Sequence, residues 1–179
     1  MTPKFSIIIV NYFSIPEIKD CIRSITEHHL TPDLEIIVVS NSKTVQNDID
    51  YFKSQKLTVT WIETGSNIGF GAACNIGANK SSGDFLFFLN PDTFFLNDVV
   101  TILESDLRQN VDLAVAGPAT FDSNMKNISS VKNDLSFLWL LNWIFPFIEY
   151  FSQKAATFRK IKTDKPQTVD IVNGSALFI

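Results

Sequence analysis

The chain has 179 residues, 45% of them apolar and 19% charged, with a formal net charge of -4. That is enough apolar material for one domain with a packed core, which excludes a disordered chain, and the acidic balance excludes nucleic acid as the main partner. Cys21 and Cys74 stand far apart without metal-ligand spacing, so they read as two reduced, buried thiols and not as a zinc site.

A strand pattern begins at Phe5, leaving no room for a signal peptide, and a cytoplasmic chain is expected. Phe5 to Val10 is continuous and β-branched, the mark of a parallel strand buried on both faces. Asn11-Tyr12-Phe13-Ser14 ends it, and Pro16-Glu17 opens a helix whose stripe is Ile18, Cys21, Ile22 and Ile25. Leu34 to Val39 is a second strand closed by Ser40-Asn41-Ser42. A weaker helix spans Asp48 to Gln55, and a third strand spans Leu57 to Glu63 with Val59 and either Trp61 or Ile62 facing inward.

Gly65 to Gly71 is a glycine-rich turn, followed by a helix from Ala72 to Lys80 and the break Ser81-Ser82-Gly83. The apolar run Phe85-Leu86-Phe87-Phe88-Leu89 then reads as another buried strand. Asn90-Pro91-Asp92 cannot extend a central ladder, because proline has no N–H to donate, so Asp92 is delivered at the carboxyl edge of the sheet. A helix from about Asn97 to Gln109 and a short strand over Leu113 to Ala116 follow. Alternating strands and helices predict an α/β fold: a mostly parallel sheet with helices on both faces, in three layers.

The organisation divides into a core over residues 1–120, an aromatic and basic excursion over 121–168, and the start of a further region over 169–179. Val169 to Val172 begins a strand, Asn173-Gly174 turns, and a last apolar run reaches Ile179 in mid-element, so the fold is expected to continue beyond that residue.

Three strand ends carry polar groups: Asn11 with Tyr12, Ser40 with Asn41, and Asn90 with Asp92. In a parallel sheet all three lie at one edge, where ligands bind. The turn with Asn67, Gly69 and Phe70 adds a helix N-terminus able to face an anion. It has neither the P-loop nor the dinucleotide spacing, and each segment taken singly reads better as a structural turn.

The joint order of these segments resembles the family 2 glycosyltransferases of the GT-A (Rossmann-like) fold, especially their rhamnosyltransferase-like branch. Ser6 to Tyr12 looks like the family's first strand and Ile36 to Ser42 like its second. Gly65 to Gly77 resembles its N-x-G-F element, Asn90 to Thr93 its DXD-equivalent, and Val169 to Leu177 its acceptor-side strand and turn, with Gly174 and Ser175 on the acceptor side. The resemblance implies a nucleotide-sugar donor, dTDP-rhamnose or a UDP-sugar, and a glycan or lipid-linked acceptor in surface polysaccharide synthesis. Asn11 and Tyr12, with the position at Ser40, would touch the base, and Asn41 belongs to the same donor-binding set. Asn67, Gly69, Phe70 and Asn75 would line the nucleoside and diphosphate, beside Asn90, and Asp92 would hold Mg²⁺ or Mn²⁺. Two departures stand out: Ser40 occupies a position where the family usually has an acid, and the family's general base, of an inverting transferase, would fall beyond Ile179. A non-catalytic nucleotide- or glycan-binding module is the alternative. A nucleotidyltransferase would want a basic glycine-rich loop where this chain has Asn11-Tyr12-Phe13-Ser14.

Asp84, Asp122 and Asp170 read as solvated turn or loop residues, and His28-His29 as helix-end residues facing the local dipole or solvent. Phe137 to Phe151 is apolar and aromatic but interrupted by Asn142, Pro146 and Glu149, too short to span a bilayer. Three readings stay open for residues 135–165: an intramolecular cover, a surface for peripheral contact with the inner face of the cell membrane, where the basic run Lys154 to Lys165 would meet anionic lipid, and a contact between copies.

Overall fold

The computed structural model describes residues 4–29, 33–54, 58–127, 130–131, 159–160, 169, 172 and 174–179. They fall into two units: residues 1–118 with 174–179, and residues 119–173.

In the first unit, strands β1 (Phe5–Asn11), β2 (Leu34–Ser40), β3 (Thr58–Glu63) and β4 (Phe85–Leu89) are parallel, and the last strand of the chain, β7 (Ala176–Phe178), runs antiparallel to β4. The sheet order is β3-β2-β1-β4-β7. All seven residues of β1 are buried, as a strand covered on both faces must be. The covering helices are α1 (Ile15–His28), α2 (Gln46–Lys53), α3 (Phe70–Lys80) and α4 (Val99–Gln109).

Alternation decides which side chain meets which helix. Ile7, Ile9, Ile36, Val38, Phe87 and Leu89 pack with Ile18, Cys21, Ile22 and Ile25 of α1, Phe52 of α2, and Val100 and Leu103 of α4. Val10, Ile37 and Val39 meet Ala73 and Cys74 of α3 on the other face. The first unit is therefore the three-layer α/β arrangement expected, with three of its described helices on one face and one on the other. In β3, Val59 and Trp61 pack on the first face and Ile62 on the second, and the Trp61 ring stacks on Phe52 at 5.0 Å. Both cysteines are buried free thiols.

Phe178 brings β7 into the core, its ring 5.4 Å from that of Phe85 and 5.7 Å from that of Phe87. On the outer side of β7, the expected strand over Leu113 to Ala116 reduces to one bridge, in which Ala116 and Phe178 exchange N–H···O bonds of 2.8 and 2.9 Å. The turn at Val111-Asp112 precedes it and Gly117-Pro118 follows, and proline offers no N–H to extend the ladder.

His29 also departs from expectation. It is buried, its Nδ1 lies 2.8 Å from Asp98 Oδ1 and its Nε2 lies 3.1 Å from Asp33 Oδ1. Asp98 caps α4 by accepting from the Thr101 N–H and hydroxyl, so the histidine joins the end of α1 to the start of α4 instead of facing solvent.

In the second unit, β5 (Ser130–Val131) and β6 (Arg159–Lys160) form an antiparallel pair. Asp122 accepts the N–H groups of Asn124 and Lys126 in a tight turn closed by the Phe121–Asn127 bridge. The aromatic run over residues 135–151, the rest of the basic run and Asp170 lie outside the described residues.

Candidate functional site

In β1 and β2, Asn11 and Ser40 are register partners, so these strands end level at the carboxyl edge, and β4 ends beside them. A cleft of about 640 Å³ opens there, lined by Val10, Tyr12, Phe13, Ser14, Glu17, Asn41, Asn67, Gly69, Phe70, Asn90, Pro91 and Asp92. Of the residues singled out from sequence, Tyr12, Asn41, Asn67, Gly69, Phe70, Asn90 and Asp92 meet in it. Asn11, Ser40, Asn75, Gly174 and Ser175 are not on its wall.

Asn11 and Ser40 lie under the floor. The Asn11 amide donates to Ser40 Oγ (2.7 Å) and Ser42 Oγ (3.2 Å), while its Oδ1 accepts from the Ser14 N–H (3.1 Å) and hydroxyl (3.2 Å). Ser40 donates to the Ser42 carbonyl at 2.6 Å. A buried amide with all its bonds made is a structural joint, and this one fixes the loop from Tyr12 to Ser14 against the end of β2.

The far wall is built from the turn after β3. Asn67 Oδ1 accepts the Gly69 N–H at 3.0 Å, an Asx turn, and Gly69 at φ 87 swings the chain into α3. This is why the helix starts at Phe70 rather than Ala72. Asn41 donates to the Gly69 carbonyl at 3.2 Å and so ties that turn to β2. Asn75 is exposed on α3 and is not among the residues that line the cleft.

Asp92 occupies the turn after β4. Thr93 Oγ1 closes that turn on the Asn90 carbonyl at 2.7 Å, and the Asn90 N–H donates to the Ser175 carbonyl at 2.9 Å, so Ser175, one of the two residues placed on the acceptor side, is tied to the start of the Asp92 turn. The Asp92 side chain is exposed, and no hydrogen bond or ion pair engages its carboxylate among the described residues. Beneath it, burial pushes the Cys21 thiol up to about 12, its contact with Thr93 opposing the rise and the Asp92 charge adding to it.

Sequence reasoning missed Glu17, Phe13 and Ser14. The available signal was topological: in a parallel βα unit the first turn of the helix stands at the carboxyl edge of its strand, and Ser14-Ile15-Pro16-Glu17 follows β1 at once.

The cleft wall carries two carboxylates, Glu17 and Asp92, and no Lys, Arg or His. A polyanionic ligand needs a cation to enter such a wall. Oxygen-only donors fit Mg²⁺ or Mn²⁺, and among the described residues no group of three His, Cys, Asp or Glu could form a protein-only cage. The residues present therefore fit a cation held by Asp92 and completed by ligand oxygens.

No curated protein matches the chain in sequence. Among solved structures it is similar to S. aureus TarS, at 20% identity and TM-score 0.52 over 59% of this chain and 20% of that one. It is also similar to TarS 1–349 in complex with UDP-GlcNAc, at 19% identity and TM-score 0.54 over 71% and 39%. A third is the mannosyltransferase PcManGT from Pyrobaculum calidifontis in complex with GDP-Man and Mn²⁺, at 16% identity and TM-score 0.58 over 68% and 36%. These likenesses establish a shared fold, and the chain spans between a fifth and two fifths of those lengths. The family model for glycosyl transferase family 2 matches residues 6–179, nearly end to end, and the chain belongs to that family.

Proposed function

We propose that this chain binds the nucleotide-sugar donor of an inverting glycosyltransferase, which moves a sugar to a glycan or lipid-linked acceptor in surface polysaccharide synthesis. The observation that carries the reading is the unengaged carboxylate of Asp92, raised on a closed turn at the end of β4 and facing a cleft with no basic side chain. Asp92 would hold Mg²⁺ or Mn²⁺, which when bound neutralises the charge of a leaving diphosphate. Tyr12 and Phe70 offer faces to the nucleoside, Asn41 and Asn67 brace the turn against which it lies, and Asn90 shapes the approach to Asp92. Asn11 and Ser40 support the floor. None of the described residues is assigned the base that deprotonates the acceptor hydroxyl.

The rhamnosyltransferase-like order of motifs makes dTDP-rhamnose the first donor proposed and a UDP-sugar the second. Ser40 favours one further reading, a nucleotide- or glycan-binding module without chemistry, because its hydroxyl is consumed within the floor and offers no acceptor to a base.

Calorimetric titration of dTDP, UDP, GDP and CDP, with and without Mn²⁺, tests the proposal. Nucleotide binding that strengthens with Mn²⁺ and loses that gain in Asp92→Asn is the expected result. Binding that ignores Mn²⁺ supports the module without chemistry, and no binding of any of the four sinks the donor site itself.

A further inference from the structure

Phe13 has φ 56, in the left-handed region, where a bulky side chain is a true outlier. The residue is 75% exposed, so no packing in the described fold explains the conformation. What enforces it is the joint beneath: the Phe13 N–H donates to Ser42 Oγ at 3.1 Å, while Asn11 holds both Ser42 and Ser14. Backbone strain of this kind persists only where the surroundings over-determine it, and it gathers at ligand clamps.

The result is a corner. The Phe13 and Tyr12 rings are 4.8 Å apart at 65°, both on the cleft wall, Tyr12 itself 54% exposed. Two apolar faces at an open angle, kept in water by a strained loop, present one ring to the face and the other to the edge of a flat guest. Aromatic pairs favour that geometry.

We propose that Phe13 is a specificity-determining residue: its ring, presented by the strained Tyr12–Ser14 loop, makes with Tyr12 a corner that receives the planar base of a nucleoside diphosphate. The inference rests on the donor-binding reading above. It adds that selection for an aromatic group lies with Phe13 and not with Ser40, whose hydroxyl is turned inward.

The test compares Phe13→Asn, which tolerates the left-handed turn without a ring, with Phe13→Tyr, which keeps the ring. Affinities for UDP, dTDP, GDP and CDP are measured in Mn²⁺ beside that for inorganic pyrophosphate, which has no base. Phe13→Asn should keep or raise the thermal midpoint and weaken the nucleotides about tenfold, the scale of one lost stacking contact, while leaving pyrophosphate unchanged. Phe13→Tyr should bind like the wild type. The inference is overturned if Phe13→Asn binds nucleotides normally, if it weakens pyrophosphate equally, or if Phe13→Tyr loses as much as Phe13→Asn. It also fails if Phe13→Asn lowers the midpoint, since the ring would then be a packing element. A wild-type chain that binds none of the four nucleotides overturns the donor-site reading instead, a result distinct from normal binding by the variant.

Discussion

Asn11 and Ser40 end neighbouring strands in direct register, and the amide of the first donates to the hydroxyl of the second at 2.7 Å with both side chains buried. Removing the amide takes a bond from Ser40 and Ser42, both buried, and from Ser14 at the cleft wall. Asn11→Ala should cost about 3 kcal/mol, the upper end for orphaned buried polar groups. Urea unfolding checks it, and a loss under about 1 kcal/mol would mean that water replaces the amide at little cost.

Gly77 is where α3 lies on the sheet. A Cβ there would come 2.5 Å from Ile8 Cγ2 and 3.4 Å from Val39 Cγ2. Alanine gains about 1 kcal/mol of helix propensity, but overpacking costs about 1–3 kcal/mol, so Gly77→Ala should destabilise. In an Ile8→Ala background the same change should cost less, because the obstructing methyl is gone. A double-mutant cycle reads the coupling, and strict additivity would rule out the contact.

Asp92 makes no bond to the described protein, so Asp92→Asn should leave stability within about 0.5 kcal/mol of the wild type. The same variant should lose the Mn²⁺-dependent part of nucleotide affinity. A marked fall in stability would instead reveal a structural duty for the carboxylate.

Two carboxylates contribute to the acid sensitivity of the fold. Burial pushes Glu104 up, but hydrogen bonds and ion pairs from Lys4 at 2.7 Å and Arg108 at 2.5 Å outweigh it and leave the group below its ordinary value of 4.5. Asp98 ends below 3.8 in the same way: burial opposes ionisation, and the bonds from His29 and Thr101 prevail. A folded value below the unfolded one means that stability is fully present above the unfolded value and is lost as pH falls through the folded one. Unfolding midpoints should hold near neutrality and decline from about pH 5 downward. Glu104→Gln should flatten the decline while lowering the plateau, and an unchanged acid slope would exclude Glu104 from it.

What the sequence made legible was set by local rules. Ile18, Cys21, Ile22 and Ile25 announce α1 by spacing alone, and Pro91 marks where β4 must stop. The rest depends on partners brought together by the fold. Asn11 and Ser40 are 29 residues apart, so only the β1–β2 register reveals that they consume each other's polar groups beneath the cleft. His29 and Asp98 are 69 apart, and neither position hints at the other. The twist at Phe13 has no periodic signature, because it is imposed by the serine and asparagine below it.

The bond from the Asn90 N–H to the Ser175 carbonyl uses main-chain atoms only. Short of a proline at position 90, no exchange of side chains can cut this mooring. Composition can drift on either side of the joint while the height of the Asp92 loop over the strands stays where it is. A displacement of Ser175 pulls on the Asn90 end of the loop that carries that carboxylate.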